Sequence, residues 1–222
     1  MRRRAELAKR MIVWFQKNAR DYPWRHTNDP YRILVAELML QRTAARQVEL
    51  VYRRFLNRFP DPYALASAEL QELKDELKPL GLAYRASRFL NIGKALVKKF
   101  HGTVPHEEDQ LLELPGVGKY IARAVLCFAF NQDVAVVDSN VIRVIKRVFS
   151  LDAGKDEHKK MWFWKFMDEI IIKGRAKEFN LSLIDLGDLI CTPRNPRHDI
   201  CPLKEICDLA LDARSNAGGI IN

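Results

Sequence analysis

The chain lacks any apolar run approaching the roughly 18 residues that a membrane-spanning helix needs. It also lacks a secretory core. Met1-Arg2-Arg3-Arg4 is basic, but Glu6, Lys9 and Arg10 interrupt the apolar residues after it, so a cytoplasmic protein is expected, with the nucleoid if the source is prokaryotic. Convincing period-2 alternation is missing, which excludes a fold built on sheets. There is no internal repeat and no low-complexity segment. Acidic residues are in deficit: 28 Asp+Glu stand against 37 Lys+Arg, a formal charge of +9. That balance favours a polyanionic partner, nucleic acid before membrane, although a solvated basic surface would give the same count. Cysteine is scarce, with four in 222 residues, and three of them fall in the last 32. In a cytosolic chain such crowding reads as a metal site before disulfides.

What is present is helical. Hydrophobic residues make up 48% and charged residues 29%, enough for one large or two small cores. Leu7, Met11, Ile12, Trp14 and Phe15 recur at helical spacing over 5–19, with a basic outer face. Asp29 is a good N-cap and Pro30 a good first residue for a helix through Leu40. Further helices are expected over 44–59, after Ser67, and over 84–100, 107–112, 121–130, 139–149, 157–172 and 176–190. The reading is an all-α fold of about ten helices, with a loosely held tail from Ser215.

Four constellations carry chemistry. The turn Leu114-Pro115-Gly116-Val117-Gly118 joins two helices. Gly116 and Gly118 let backbone approach a ligand, and the unpaired amides of the next helix can hold a phosphate beside Lys119. A plain helical corner would satisfy the same glycines. Tyr120 and Asp138 form the second; packing and capping respectively would also explain them. Glu37 is the third, a carboxylate among Leu34, Leu38 and Leu40. Burial would favour its protonated form, able to donate a proton, whereas most glutamates lie on the surface. The fourth is Cys191-x6-His198-x2-Cys201-x5-Cys207, whose soft ligands suit an iron–sulfur cluster or zinc. Arg194, Arg197 and Lys204 surround it, which suggests that the loop also faces phosphate. Cys127, in an apolar helix, reads as core.

Together these residues resemble the endonuclease III superfamily of helix-hairpin-helix (HhH-GPD) DNA glycosylases. The likeness covers roughly residues 14–208. It rests on Tyr22-Pro-Trp-Arg, Asp29-Pro-Tyr, Glu37-Leu-Met-Leu-Gln-Arg-Thr, Gly81-Leu-Ala-Tyr, Leu114-Pro-Gly-Val-Gly-Lys-Tyr, Val137-Asp-Ser-Asn-Val-Ile-Arg-Val and Phe179-Asn-Leu-Ser-Leu-Ile-Asp-Leu-Gly. The chain is most similar to the thymine/uracil mismatch glycosylases of Mig type and the adenine glycosylases of MutY type. The resemblance implies a six-helix barrel bearing the hairpin, over 24–134. A discontinuous cluster domain would take 1–23 and 135–222, with the cluster loop at 191–207. A flipped nucleotide would be the substrate.

The resemblance also implies roles. Asp138 would stabilise the oxocarbenium ion left when the glycosidic bond breaks, and Glu37 is the base-directed carboxylate. Tyr120 replaces the lysine of the bifunctional glycosylase-lyases and cannot form a Schiff base, which implies a monofunctional enzyme with little lyase activity. Arg42 matches the residue that wedges into the stack, and Tyr84 lies beside it. Gly116, Gly118 and Lys119 would hold backbone. Ala45 and Leu181 match the thymine/uracil branch, where an apolar wall suits a thymine methyl; adenine glycosylases carry Gln in place of Leu181. The chain also leaves no room for the second domain with which adenine glycosylases read 8-oxoguanine. The expected substrate is T or U opposite G in double-stranded DNA, bound by a monomer. The alternatives are adenine opposite G or 8-oxoguanine, and a lesion-binding protein that does not cut. His198 stands where the family's cluster loop has its second cysteine. A [4Fe–4S] cluster held by Cys191, His198, Cys201 and Cys207 is expected, with zinc or no metal as alternatives.

Overall fold

The computed structural model describes residues 2–151 and 160–217. Among them are twelve α-helices, three short 3-10 turns and no strand. The helices are α1 (Arg2–Asn18), α2 (Pro30–Leu40), α3 (Ala45–Arg58), α4 (Pro62–Ala66), α5 (Leu70–Leu77), α6 (Ala86–Phe100), α7 (Glu108–Leu112), α8 (Lys119–Phe128), α9 (Ser139–Phe149), α10 (Met161–Asp168), α11 (Ala176–Leu189) and α12 (Asp208–Ala217). The all-α reading is correct. Two helices were not anticipated. Pro60-Asp61-Pro62 ends α3 as expected, but Asp61 then caps α4 by accepting from the Ala64 amide at 2.8 Å. Helix α12 begins at Asp208 and takes in the start of the weakly patterned tail, 215–217, and residues 218–222 lie outside the described residues. The helix expected over 157–172 is observed from Met161, its first positions also lying outside.

The chain divides into two compact units, Asp21–Phe130 and Met1–Arg20 with Asn131–Asn222. In Asp21–Phe130, Asp29 caps α2 through the Tyr31 and Arg32 amides at 2.9 and 3.1 Å, with Pro30 as its first residue. Tyr22 stacks on Trp24 at 4.8 Å, and Trp24 meets the edge of Tyr52 at 5.4 Å. Phe55, fully buried, lies 5.5 Å from Phe89, joining α3 to α6. Helix α8 is apolar on every side from Ile121 to Phe128 except at Arg123, and all eight of those residues are buried. It packs on α2 and α7.

The other unit has its own core. Leu7 and Met11 of α1 meet Val141, Val144, Ile145 and Val148 of α9 and Phe179, Leu183 and Leu186 of α11. Burial of such side chains contributes about 1.5–3 kcal/mol each. The helix α9 approaches α11 closely because residue 187 is glycine: a Cβ there would sit 2.5 Å from the Asn140 Cβ. The basic face of α1 is not simply solvated. Arg3 donates to the Ile206 carbonyl at 2.9 Å, Arg4 pairs with Glu169 at 2.6 Å, and Arg10 with Glu205 at 2.9 Å.

Candidate active site

The approach to Asp138 is an extended segment, 131–138, with few internal hydrogen bonds. Side chains from elsewhere in the same unit hold it, one buried and one exposed. Asn180, fully buried on α11, accepts from the Val136 amide and donates to the Val134 carbonyl, both at 2.9 Å. Asp168 of α10 accepts from the Ala135 amide at 2.9 Å. Asn180 thus pairs with the segment as a neighbouring strand would.

Asp138 caps α9, as its sequence position suggested. Its Oδ1 accepts from the Val141 amide at 2.8 Å. Capping uses one oxygen. The second, Oδ2, accepts from the Asn140 side-chain amide at 2.9 Å. Arg143 in turn donates to Asn140 Oδ1 at 2.6 Å, to the Gly187 carbonyl at 2.7 Å and to the Cys191 carbonyl at 2.7 Å. Burial pushes the Asp138 carboxyl above its ordinary value of 3.8; hydrogen bonds from Val141 and Asn140, and the Arg143 charge, pull the other way. A cap alone would not need Asn140 on the second oxygen. Asn140 and Arg143 went unassigned in the sequence. The available signal was Asp-x-Asn at a helix start, which places an amide one turn position from the cap.

In the other unit, Glu37 is 4% exposed on α2, so the buried reading holds. Tyr120 and Lys119 are half-buried on the first turn of α8. The hairpin turn has Gly116 at φ 77, and a Cβ there would meet the Arg88 side chain at 2.5 Å. Gly118 is different. Its backbone is extended, and a Cβ would point into open space. As the N-cap of α8 it has no side chain to occupy the first amides. Arg42 is exposed, at φ 61, in the break between α2 and α3. Tyr84 is 71% exposed. Ala45 is the half-buried first residue of α3, and Leu181 is buried on α11.

Cys191, His198, Cys201 and Cys207 line one small cavity, walled by apolar side chains such as Val144 and Leu203. Burial pushes the Cys201 thiol up to about 11 and the Cys207 thiol upward as well, so thiolates there depend on a bound cation. Among the described residues, no three His, Cys, Asp or Glu side chains converge on a point that one ion could occupy. Three cysteines and a histidine around one cavity are a donor set that suits an iron–sulfur cluster or zinc. The loop is clasped from below. Arg147 donates to the Cys191 Sγ at 3.3 Å and to the Thr192 and Pro193 carbonyls at 2.7 and 2.8 Å. Arg197 and Lys204, read from sequence as facing phosphate, donate to the Leu189 and Asp199 carbonyls at 2.8 and 3.1 Å.

Comparison with known proteins agrees with this arrangement. Residues 35–166 match the HhH-GPD superfamily of base excision DNA repair proteins, and residues 191–207 match the iron-sulfur binding domain of endonuclease III. A thymine-DNA glycosylase of Aeropyrum pernix is 40% identical, over 90% of this chain and 92% of the relative. An adenine DNA glycosylase of Buchnera aphidicola is 34% identical, over 89% of this chain but 56% of the relative. The solved structure of a thermostable thymine-DNA glycosylase superposes with a TM-score of 0.91 at 31% identity, covering 95% of this chain and 98% of that one. Among the described residues, no helix is long and apolar enough to cross a membrane.

Proposed function

The chain belongs to the HhH-GPD superfamily of base excision DNA repair proteins, and from that premise we propose that it is a monofunctional DNA glycosylase releasing thymine or uracil mispaired with guanine. The observation that carries the chemistry is Asp138, a half-buried carboxylate with one oxygen on a helix amide and the other on Asn140. Departure of the base takes the electrons of the C1′–N bond and leaves positive charge on the sugar. A fixed carboxylate stabilises that cation, an effect worth about 3–4 kcal/mol for a well-placed group. Water then adds its oxygen to C1′ and loses a proton to Asp138. Glu37 supplies the proton that neutralises the departing base. Tyr120 offers no amine to attack C1′, so the sugar is left as an intact abasic site.

The substrate is double-stranded DNA, bound by a monomer that works in the cytoplasm, with the nucleoid where there is one. Gly118 and Lys119 at the open N-terminus of α8 hold a backbone phosphate, and Gly116 gives the turn its shape. Arg42 and Tyr84 enter the stack. Ala45 and Leu181 are apolar and cannot make the paired hydrogen bonds that would select adenine. The cluster loop carries a [4Fe–4S] cluster, for which Cys191, Cys201, Cys207 and His198 are the ligands. The cluster holds the loop; no step of base release passes through it. His198 is tested by iron and sulfide analysis of the anaerobically purified His198→Ala variant, which should retain less iron than the wild type. Equal iron in both would exclude His198 as a ligand.

The deciding experiment is a panel of single-mismatch duplexes assayed for base release with and without alkali. Release from G·T and G·U, with strand breaks only after alkali, is expected. Release of adenine but not thymine would replace the substrate. Salt-sensitive binding with no release from any mismatch would make the protein a lesion binder.

A further inference from the structure

The break between α2 and α3 holds a non-glycine residue in an unusual backbone conformation. Arg42 adopts φ 61, a left-handed conformation that costs a non-glycine residue about 1 kcal/mol or more. Such strain persists only where the surroundings over-determine it. Two arginines of the segment 85–88 supply that constraint. Arg85, only 8% exposed, donates through Nη1 to the Gln41 carbonyl at 2.8 Å. Arg88 donates through Nη1 to Gln41 Oε1 at 3.1 Å. The residue before Arg42 is therefore held by both its backbone and its side chain.

The same two arginines reach two other exposed features. Arg85 Nε donates to the Tyr84 hydroxyl at 2.9 Å, and its guanidinium stands 5.2 Å from the centre of that ring. Tyr84 is 71% exposed, a large aromatic surface kept in water yet tied at its far end. An unanchored tyrosine would gain rotamer freedom there. Arg88 passes against Gly116, where a Cβ would lie 2.5 Å from its Cδ and Nε. Turn, ring and hairpin all converge on one bracket beneath them. A guanidinium and an aromatic ring are the two side chains that stack on bases.

We propose that Arg85 is a positioning residue for base extrusion: it fixes the Arg42 turn and the Tyr84 ring at a set separation, so that both enter the stack together. This rests on the proposed reading that Arg42 and Tyr84 enter the duplex. Arg85 itself touches neither base nor sugar. Its work is done before the glycosidic bond breaks, so its loss should slow opening of the duplex and leave hydrolysis of an already extruded base intact.

The test uses the intact protein with Arg85→Met, which keeps length and apolar bulk, and Arg85→Lys, which keeps the charge. Opening is read by stopped-flow fluorescence of 2-aminopurine beside a G·T mismatch whose thymidine carries a non-cleavable 2′-fluoro sugar. Release is read in single turnover on G·U duplex and on uracil in an unpaired bulge. Arg85→Met should open the mismatch about ten- to a hundredfold more slowly, the loss typical of a misplaced working group. Bulged uracil should be released within about threefold of wild type. Arg85→Lys should recover part of the opening rate. Opening at the wild-type rate, or equal losses on the duplex and the bulge, would overturn the proposal; equal losses accompanied by a fallen melting temperature identify a purely structural residue. Fluorescence reports opening without base release. Wild-type opening without release of thymine or uracil would refute the proposed substrate while leaving the role of Arg85 to be judged on the opening rates.

Discussion

The Asn140 side-chain amide donates to Asp138 Oδ2 at 2.9 Å while the Val141 amide occupies Oδ1. The carboxylate is thus held at both oxygens, and the two halves of its work can be separated. Asn caps a helix about as well as Asp. Asp138→Asn should therefore keep the melting temperature or raise it, since it removes a charge that desolvation disfavours. Base release should fall by about 10²- to 10³-fold or more. Asp138→Ala should lose activity to the same degree and also lose about 1 kcal/mol of stability with the cap. Parallel thermal melts and single-turnover assays would decide. Retained release in Asp138→Asn would reduce the residue to a cap.

The acid limb of the pH–rate profile should belong to Asp138. Burial raises its carboxyl above 3.8, and the Asn140 hydrogen bond and the Arg143 charge act against that rise. The working form is ionised, so activity should fall on acidification at a pH above the ordinary aspartate value of 3.8. Asn140→Ala removes a donor that favours the charged form, and should move the limb further up. Stability runs the other way. Between 3.8 and the raised value the folded protein keeps a proton that the unfolded chain has released. The group therefore adds stability as pH falls through that window and costs stability above it. A limb that does not move in Asn140→Ala would show that another group controls the rate.

Local rules made part of this legible in advance. Asp29 and Pro30 start α2 because capping and a fixed φ are properties of the residues themselves. The leucine neighbours of Glu37 left burial open beside the commoner surface reading, and the residue is buried. Distant partners were not legible. Nothing near Asn180 in sequence points to Val134 and Val136, 46 and 44 positions away. The arginines of α1 read only as a basic outer face because acceptors such as Glu169, Glu205 and Ile206 lie far along the chain. Helix α4 hid behind two prolines that signal a break, although one of them is also a good first helical residue. Arg85 carries no motif of its own; only the fold shows it beneath both Gln41 and Tyr84.

Tyr120 is the second residue of α8, half-buried one turn from the hairpin. Tyr120→Lys places an amine there. The variant should gain strand cleavage without alkali and should be trapped on DNA by borohydride, because a lysine can form a Schiff base with the opened sugar. Wild type should show neither. Borohydride trapping of wild-type protein would mean that another lysine performs lyase chemistry, and the monofunctional reading would be lost.

The basic residues of α1 offer two opposed uses, DNA contact or attachment of the cluster loop, and the geometry selects the second. Arg3 donates to the Ile206 carbonyl at 2.9 Å and to Asp208 at 2.5 Å. Arg10 donates to the Pro202 carbonyl at 3.2 Å and to Glu205 at 2.9 Å. These acceptors bracket Cys207 and lie just past Cys201, so the arginines close the loop's second half. Arg3→Ala should speed loss of iron to a chelator by about fivefold or more, since charge-assisted bonds to carbonyls are lost together. The Arg10–Glu205 pair is more exposed, and Arg10→Ala should have an effect of under about threefold. Visible absorption during chelator challenge gives both rates. Salt dependence of DNA binding supplies the opposite check. A residue that contacts phosphate reduces the slope by about one when removed. An unchanged slope in Arg3→Ala and Arg10→Ala, with faster iron loss, keeps both arginines on the loop; a reduced slope with unaltered iron loss would return them to the DNA.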